Sequence, residues 1–226
     1  MESLADHTGG PEDVATVAFV DLAGFSAITD VFGDAPAVRL LEVFEGLVQE
    51  TLGPANRPVK WIGDETMLAF ADPEIALEAL GRLLPACRAD ARLPLTRAAL
   101  NHGPVVRREN DVFGATVNLT ARLVARAEPG QMLATHPVAE AAAARGITVH
   151  PLGPMTLRSL PRPVEVYSIE LAPSADPAWI DPVCKMHAPW SAYRSEPPPG
   201  PWFCSEQCAE AYRASPETYP WRGHRN

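Results

Sequence analysis

The chain has 226 residues, 46% hydrophobic and 21% charged, enough apolar material for one full-sized core and a small appendage. Its net charge of −9 excludes a sequence-independent grip on nucleic-acid phosphates, but not a nucleotide site that recruits metal ions with its own carboxylates. No apolar run near the N-terminus is long enough to lead the chain out of the cell or across a bilayer, and four cysteines are too few for a disulfide framework. The expectation is a cytoplasmic protein with neither nucleic-acid nor membrane partners.

Residues 1–13 read as a polar, acidic tail. Residues 14–22 (VATVAFVDL) are a β-branched-rich run ending at an aspartate, a buried strand. A helical segment follows to about residue 52, with Val38, Leu41, Phe44, Leu47 and Val48 at three- and four-residue intervals. Residues 59–62 and 66–70 form a hairpin around Gly63-Asp64-Glu65. An alanine- and leucine-rich helix covers 74–91, and residues 95–102 and 105–106 read as a strand pair around a Gly-Pro turn. Phe113-Gly114 opens a helix bearing Val117, Leu119, Arg122 and Leu123, stopped by Pro129-Gly130. A strand over 131–134, a helix over 137–145 and strands near 147–149 and 164–170 complete an α+β sheet covered by helices. Composition changes after Leu171. Residues 172–180 form a proline-containing linker, and 181–226 are rich in Cys, Pro, Trp and Tyr.

Asp21 ends a buried strand and Asp64 occupies a hairpin turn. Carboxylates brought together in such surroundings demand a cation, and magnesium or manganese fits where phosphates complete the oxygen shell. Val20-Asp21-Leu22-Ala23-Gly24-Phe25-Ser26, Val59 to Met67 and Asp111 to Arg122 resemble, in order, the three motifs of class III adenylate and guanylate cyclases, and Arg97 to Gly103 falls where that family has a strand entering a glycine turn. The resemblance spans residues 14–170. It implies a ferredoxin-like core in which Asp21 and Asp64 hold two metal ions on ATP. In the same way, Lys60 and Asp111 read the adenine edge, Asn118 orients the ribose, and Arg122, one helical turn on, stabilises charge at the α-phosphorus. It further implies a homodimer whose metal aspartates come from one subunit and whose remaining groups come from the other. Where the family often has a phosphate-contacting lysine this chain has Arg158, a different kind of cation. The runner-up reading is a regulatory module that binds ATP or metal without turnover.

In the tail, Asp181-Pro-Val-Cys184-Lys-Met186 and Phe203-Cys204-Ser-Glu-Gln-Cys208, with Pro216 to Tyr219, resemble the YHS/TRASH metal-associated modules. Thiolates at Cys184, Cys204 and Cys208 suit zinc or copper(I), with His187 the nearest fourth ligand for a tetrahedral site. The alternative is three reduced thiols packed as small hydrophobes. Cys87 reads as ordinary helix packing.

Overall fold

A computed structural model describes residues 13–221 except 57, 190, 193, 194 and 197. The N-terminal tail therefore lies outside the described residues but for Asp13. Eight strands make one sheet: β1 (Asp13–Leu22), β2 (Lys60–Ile62), β3 (Glu65–Phe70), β4 (Thr96–Arg108), β5 (Asp111–Phe113), β6 (Met132–Thr135), β7 (Val149–Met155) and β8 (Val164–Ile169). Their order is β2-β3-β1-β4-β6-β8-β7, with β5 paired to β4. The segment β2-β3-β1-β4 is antiparallel throughout and is the ferredoxin-like core. Helices α1 (Phe25–Phe32), α2 (Asp34–Leu52), α3 (Pro73–Ala89), α4 (Ala115–Val124), α5 (His136–Ala144) and α6 (Glu206–Ala214) complete the fold.

Both faces of the sheet are covered, which is why β1 is buried along nearly its whole length instead of alternating. Ala18, Val20 and Leu22 point to the face shared with α1, α2, α3 and α5, including Phe44, Leu80 and Val138. Val17 and Phe19 point to the other face, where α4 supplies Leu123 and Val124. The two-residue period of the strand puts Asp21 on this second face, at the end of a hydrophobic row.

Three expectations change. The segment from 25 to 52 is two helices, because Gly33 adopts φ 83 between them. The pair around Gly103-Pro104 is one continuous strand: Gly103 and Pro104 stay in register with Ala15 and Val14 on β1, and the chain turns back only after Arg108, at Glu109 with φ 55. The strand near 147–149 runs on to Met155 through Pro151 and Pro154, which a sheet edge tolerates because no outer neighbour needs their missing amides.

The tail does not stand apart in space. Val183, Cys184 and Cys208 belong to the same buried cluster as the α1/α2 face of the sheet, and Met186, Phe203, Tyr212 and Tyr219 pack against it. The connecting segment carries a short 3₁₀ turn, Pro177–Trp179, with Trp179 buried among tail residues. No helix among the described residues is long and apolar enough to cross a membrane.

Candidate active site and thiol cluster

Strand register builds the first half of the site. Asp21 on β1 lies opposite Glu65 on β3 and opposite Arg97 on β4, so an acid, an acid and a base form a row on one face. Asp64 stands at the adjoining hairpin turn, whose carbonyl accepts the Leu22 amide at 3.4 Å. Arg97 Nε donates to the Asp21 carboxylate. Burial nonetheless pushes the Asp21 carboxyl up to about 6, because Arg97 offsets only part of the desolvation and Asp64 adds repulsion. Burial also pushes Glu65 up to about 7, with Asp21 repelling it in addition. A like-charged cross-strand pair beside a third carboxylate is unstable without a cation. This excess of negative charge is chemically suited to a hard, oxygen-preferring divalent ion. Sequence reasoning names neither Glu65 nor Arg97 as a site residue; the signal is positional, since both are direct neighbours of Asp21 once β1, β3 and β4 are aligned.

A second group of candidate residues gathers around Lys60 on β2 and Asp111 on β5. Lys60 Nζ meets both Asp111 oxygens, at 2.9 and 2.7 Å, and lies 5.2 Å from the centre of the Phe113 ring. Lys60 holds the Asp111 carboxyl below the usual range. Trp61, the bulky neighbour, meets Phe44 of α2 edge-on at 5.7 Å, anchoring β2 to the core. Asn118 is exposed on α4, and Arg122 Nη1 folds back onto its carbonyl at 3.1 Å. The start of α4 is set by a close approach: Thr116 Oγ1 donates to the Pro104 carbonyl at 2.6 Å, and a Cβ on Gly103 would come within 2.9 Å of that same oxygen. Arg158 is exposed in the turn after β7. Asp111 pairs with Arg108 at the far end of β4, yet its partner Lys60 is in register with Met67 on β3 and so with Phe19 on β1, which puts the pair on the same sheet face as Asp21, two strands across. Among the described residues, no hydrogen bond or ion pair joins Asp21 or Asp64 to Asn118 or Arg122.

No family model matches the chain. An uncharacterised protein of Mycobacterium tuberculosis strain H37Rv is 34% identical over 160 residues, 70% of this chain and 42% of that protein. A pH-sensitive adenylate cyclase of M. tuberculosis strain CDC 1551 is 32% identical over 158 residues, 68% of this chain and 40% of that protein. Among solved structures, an adenylate cyclase of Trypanosoma brucei in its monomeric state superposes with a TM-score of 0.62 at 22% identity, covering 74% of this chain and 92% of that one. The chain carries a class III nucleotidyl cyclase catalytic domain. It spans less than half the length of the two mycobacterial relatives.

Behind the cyclase domain's first motif lies a second cluster. The ligand atoms of Asp181, Cys184, Cys204 and Cys208 all fall within 4.8 Å of one another. Cys184 and Cys204 sulfurs are 3.4 Å apart, and Cys204 and Cys208 sulfurs 3.8 Å. A tetrahedral ion with sulfur at about 2.3 Å sets sulfur separations of about 3.8 Å, so the thiols fit a zinc-sized ion. Contact with Cys184, and then with Cys204, pushes the Cys208 thiol down to about 4, while Cys184 is raised as the partner that keeps its proton. His187 is not in this group: its Nδ1 turns to the Ala188 carbonyl at 3.1 Å, and burial, followed by the nearby Arg88 charge, lowers its pKa. The fourth member of the group is Asp181, fully buried, whose Oδ1 accepts from the Val183 and Cys184 amides and whose Oδ2 accepts from the Cys204 amide. The Asp-Pro opening of the tail motif is the sequence signal for it. Cys87, buried in α3 and pushed up to about 12 by burial, is packing.

Proposed function

We propose that the chain is an adenylate cyclase that converts ATP to 3′,5′-cyclic AMP and pyrophosphate at a homodimer interface. The observation that carries this reading is the preformed Lys60–Asp111 pair, 2.7 Å long, on the same sheet face as the buried Asp21 and its carboxylate neighbours. The homodimer follows from the resemblance to class III cyclases, in which one copy lends the metal aspartates and the other the remaining groups.

In this reading Asp21 and Asp64 hold two magnesium or manganese ions. Bound there, such ions lower the pKa of the 3′-hydroxyl and neutralise charge on the phosphoryl oxygens. From the partner copy, Asp111 accepts from the adenine amino group while Lys60 donates to a ring nitrogen, a pattern that guanine reverses. Asn118 fixes the ribose so that the 3′-oxygen faces the α-phosphorus. Arg122 swings from its resting contact on the Asn118 carbonyl to the α-phosphate, where charge grows. Arg158, exposed near its turn, takes the leaving pyrophosphate. Four free cysteines suit a reducing compartment, the cytoplasm. Residues 14–171 make the cyclase domain, 172–180 the linker and 181–226 a YHS/TRASH-like module whose thiols hold zinc or copper(I).

The test is incubation of purified protein with manganese and ATP or GTP, with chromatography of the products. Cyclic AMP from ATP, at least about tenfold in excess of cyclic GMP from GTP, is the expected result. Tight ATP binding without any cyclic product selects the non-catalytic module instead.

A further inference from the structure

The two candidate metal sites share a wall. Gly24, in the first cyclase motif, has φ 80, and a Cβ there would stand 2.9 Å from the Cys184 carbonyl carbon and oxygen and from Lys185 Cγ. The backbone of a thiol ligand is therefore seated on the loop that follows Asp21. Hydrogen bonds run through the same contact: the Leu95 amide donates to the Lys185 carbonyl at 3.0 Å, the Ala23 amide to the Leu95 carbonyl at 2.9 Å, and the Leu22 amide to the Asp64 carbonyl at 3.4 Å. On the tail side, Asp181 ties the Cys184 loop to the Cys204 amide, and Ser205 caps α6, which carries Cys208 and packs against α1. Every step between Cys184 and the Asp64 turn is a backbone contact or a short buried neighbour.

We propose that the Asp181–Cys184–Cys204–Cys208 site, loaded with a soft divalent ion of the zinc class, is energetically coupled to the carboxylate site through the Gly24–Cys184 contact and the Leu95 bridge, and tightens metal binding there. The proposal rests on Asp21 and Asp64 holding divalent ions and not on turnover. Its sign follows from ordering. An ion fixes Cys184 relative to Cys204 and Cys208, which pins the loop over residues 22–24. The carboxylate site then binds its own ion with less ordering left to do. Coupling between equilibria is reciprocal, so manganese must tighten zinc by the same factor that zinc tightens manganese.

The experiment uses the full chain with one equivalent of zinc, confirmed as thiol-bound by release with a thiol-blocking reagent. Zinc affinity is measured by competition with a chromophoric chelator, with and without saturating manganese. Manganese affinity is measured by electron paramagnetic resonance, with and without zinc. Both constants are expected to tighten by the same factor, about fivefold or more. A chain carrying Asp21→Asn and Asp64→Asn is expected to bind zinc with no response to manganese. Gly24→Ala, with every thiol intact, is expected to weaken zinc. Constants unchanged within twofold in the wild-type chain overturn the proposal, as does zinc failing to bind the thiols. Reciprocity is read on the wild-type chain, so it decides the matter even where a variant does not fold. Coupling without cyclic AMP formation sinks the cyclase reading and leaves this one standing.

Discussion

At the scale of single residues, the chemistry is a matter of uncompensated charge. Asp21 and Glu65 ionise at about 6 and about 7, above their ordinary values of 3.8 and 4.5. A carboxyl raised on folding keeps its proton more tightly in the native state, so it costs stability once ionised. That cost is absent below about pH 4, grows as pH rises through the interval to about 7, and is constant above it. A divalent ion between the carboxylates cancels the cost only where they are charged. Manganese is therefore expected to raise the melting temperature more at pH 8 than at pH 5, by calorimetry on the same sample, and Asp21→Asn to lose that difference. The Lys60–Asp111 pair makes a separate prediction. Lys60→Met leaves Asp111 with only the Val112 amide as a partner and, on the proposed reading, removes a donor to the base. The expected result is a fall of about 10²-fold in kcat/KM for ATP, most of it in KM, with selectivity over GTP collapsing.

At the scale of elements, α4 is placed by what β4 lacks. Gly103 allows Thr116 to close on Pro104, and α4 then carries Asn118 and Arg122 outward one turn apart. Gly103→Ala sets a methyl 2.9 Å from the Thr116 hydroxyl, and the helix must shift to admit it. The expected outcome is a retained fold by circular dichroism and a drop in kcat of about tenfold, with KM for ATP little changed. Thr116→Ala in the same chain restores part of the rate by making room. Here the limits of the sequence are visible. The buried strand β1, the β2–β3 hairpin and the helix around Arg122 all declare themselves through periodicity and turn residues. The continuity of β4 through Gly103-Pro104 does not, because local turn preference pointed one way and the ladder to β1 decided the other. Glu65 and Arg97 join the site only through register, which local pattern does not encode. His187 was the nearest imidazole in sequence, yet its ring faces Ala188, and the residue that clusters with the thiols is a buried aspartate three residues before Cys184.

At the scale of the whole molecule, the proposed shared site makes a prediction of its own. Chains carrying Asp21→Ala and Arg122→Ala are each expected to be inactive. Mixed in equal amounts they are expected to regain cyclase activity, up to about a quarter of the wild-type rate, since half of the pairs are mixed and each mixed pair has one intact site of two. A mixture as inactive as its parts excludes a shared site.

The packing of Val183, Cys184 and Cys208 against the α1/α2 face has a consequence for biosynthesis. These residues leave the ribosome after every strand of the sheet has been made. Until they arrive, the apolar surface around Ile28 and Phe32 has no cover, although the sheet beneath it is already able to form. The newborn cyclase core is thus an unfinished globule that the segment after residue 181 must close. A nonsense codon after residue 171 is expected to release a protein that holds every strand of the sheet and is prone to clumping, with little of it recovered in the soluble fraction.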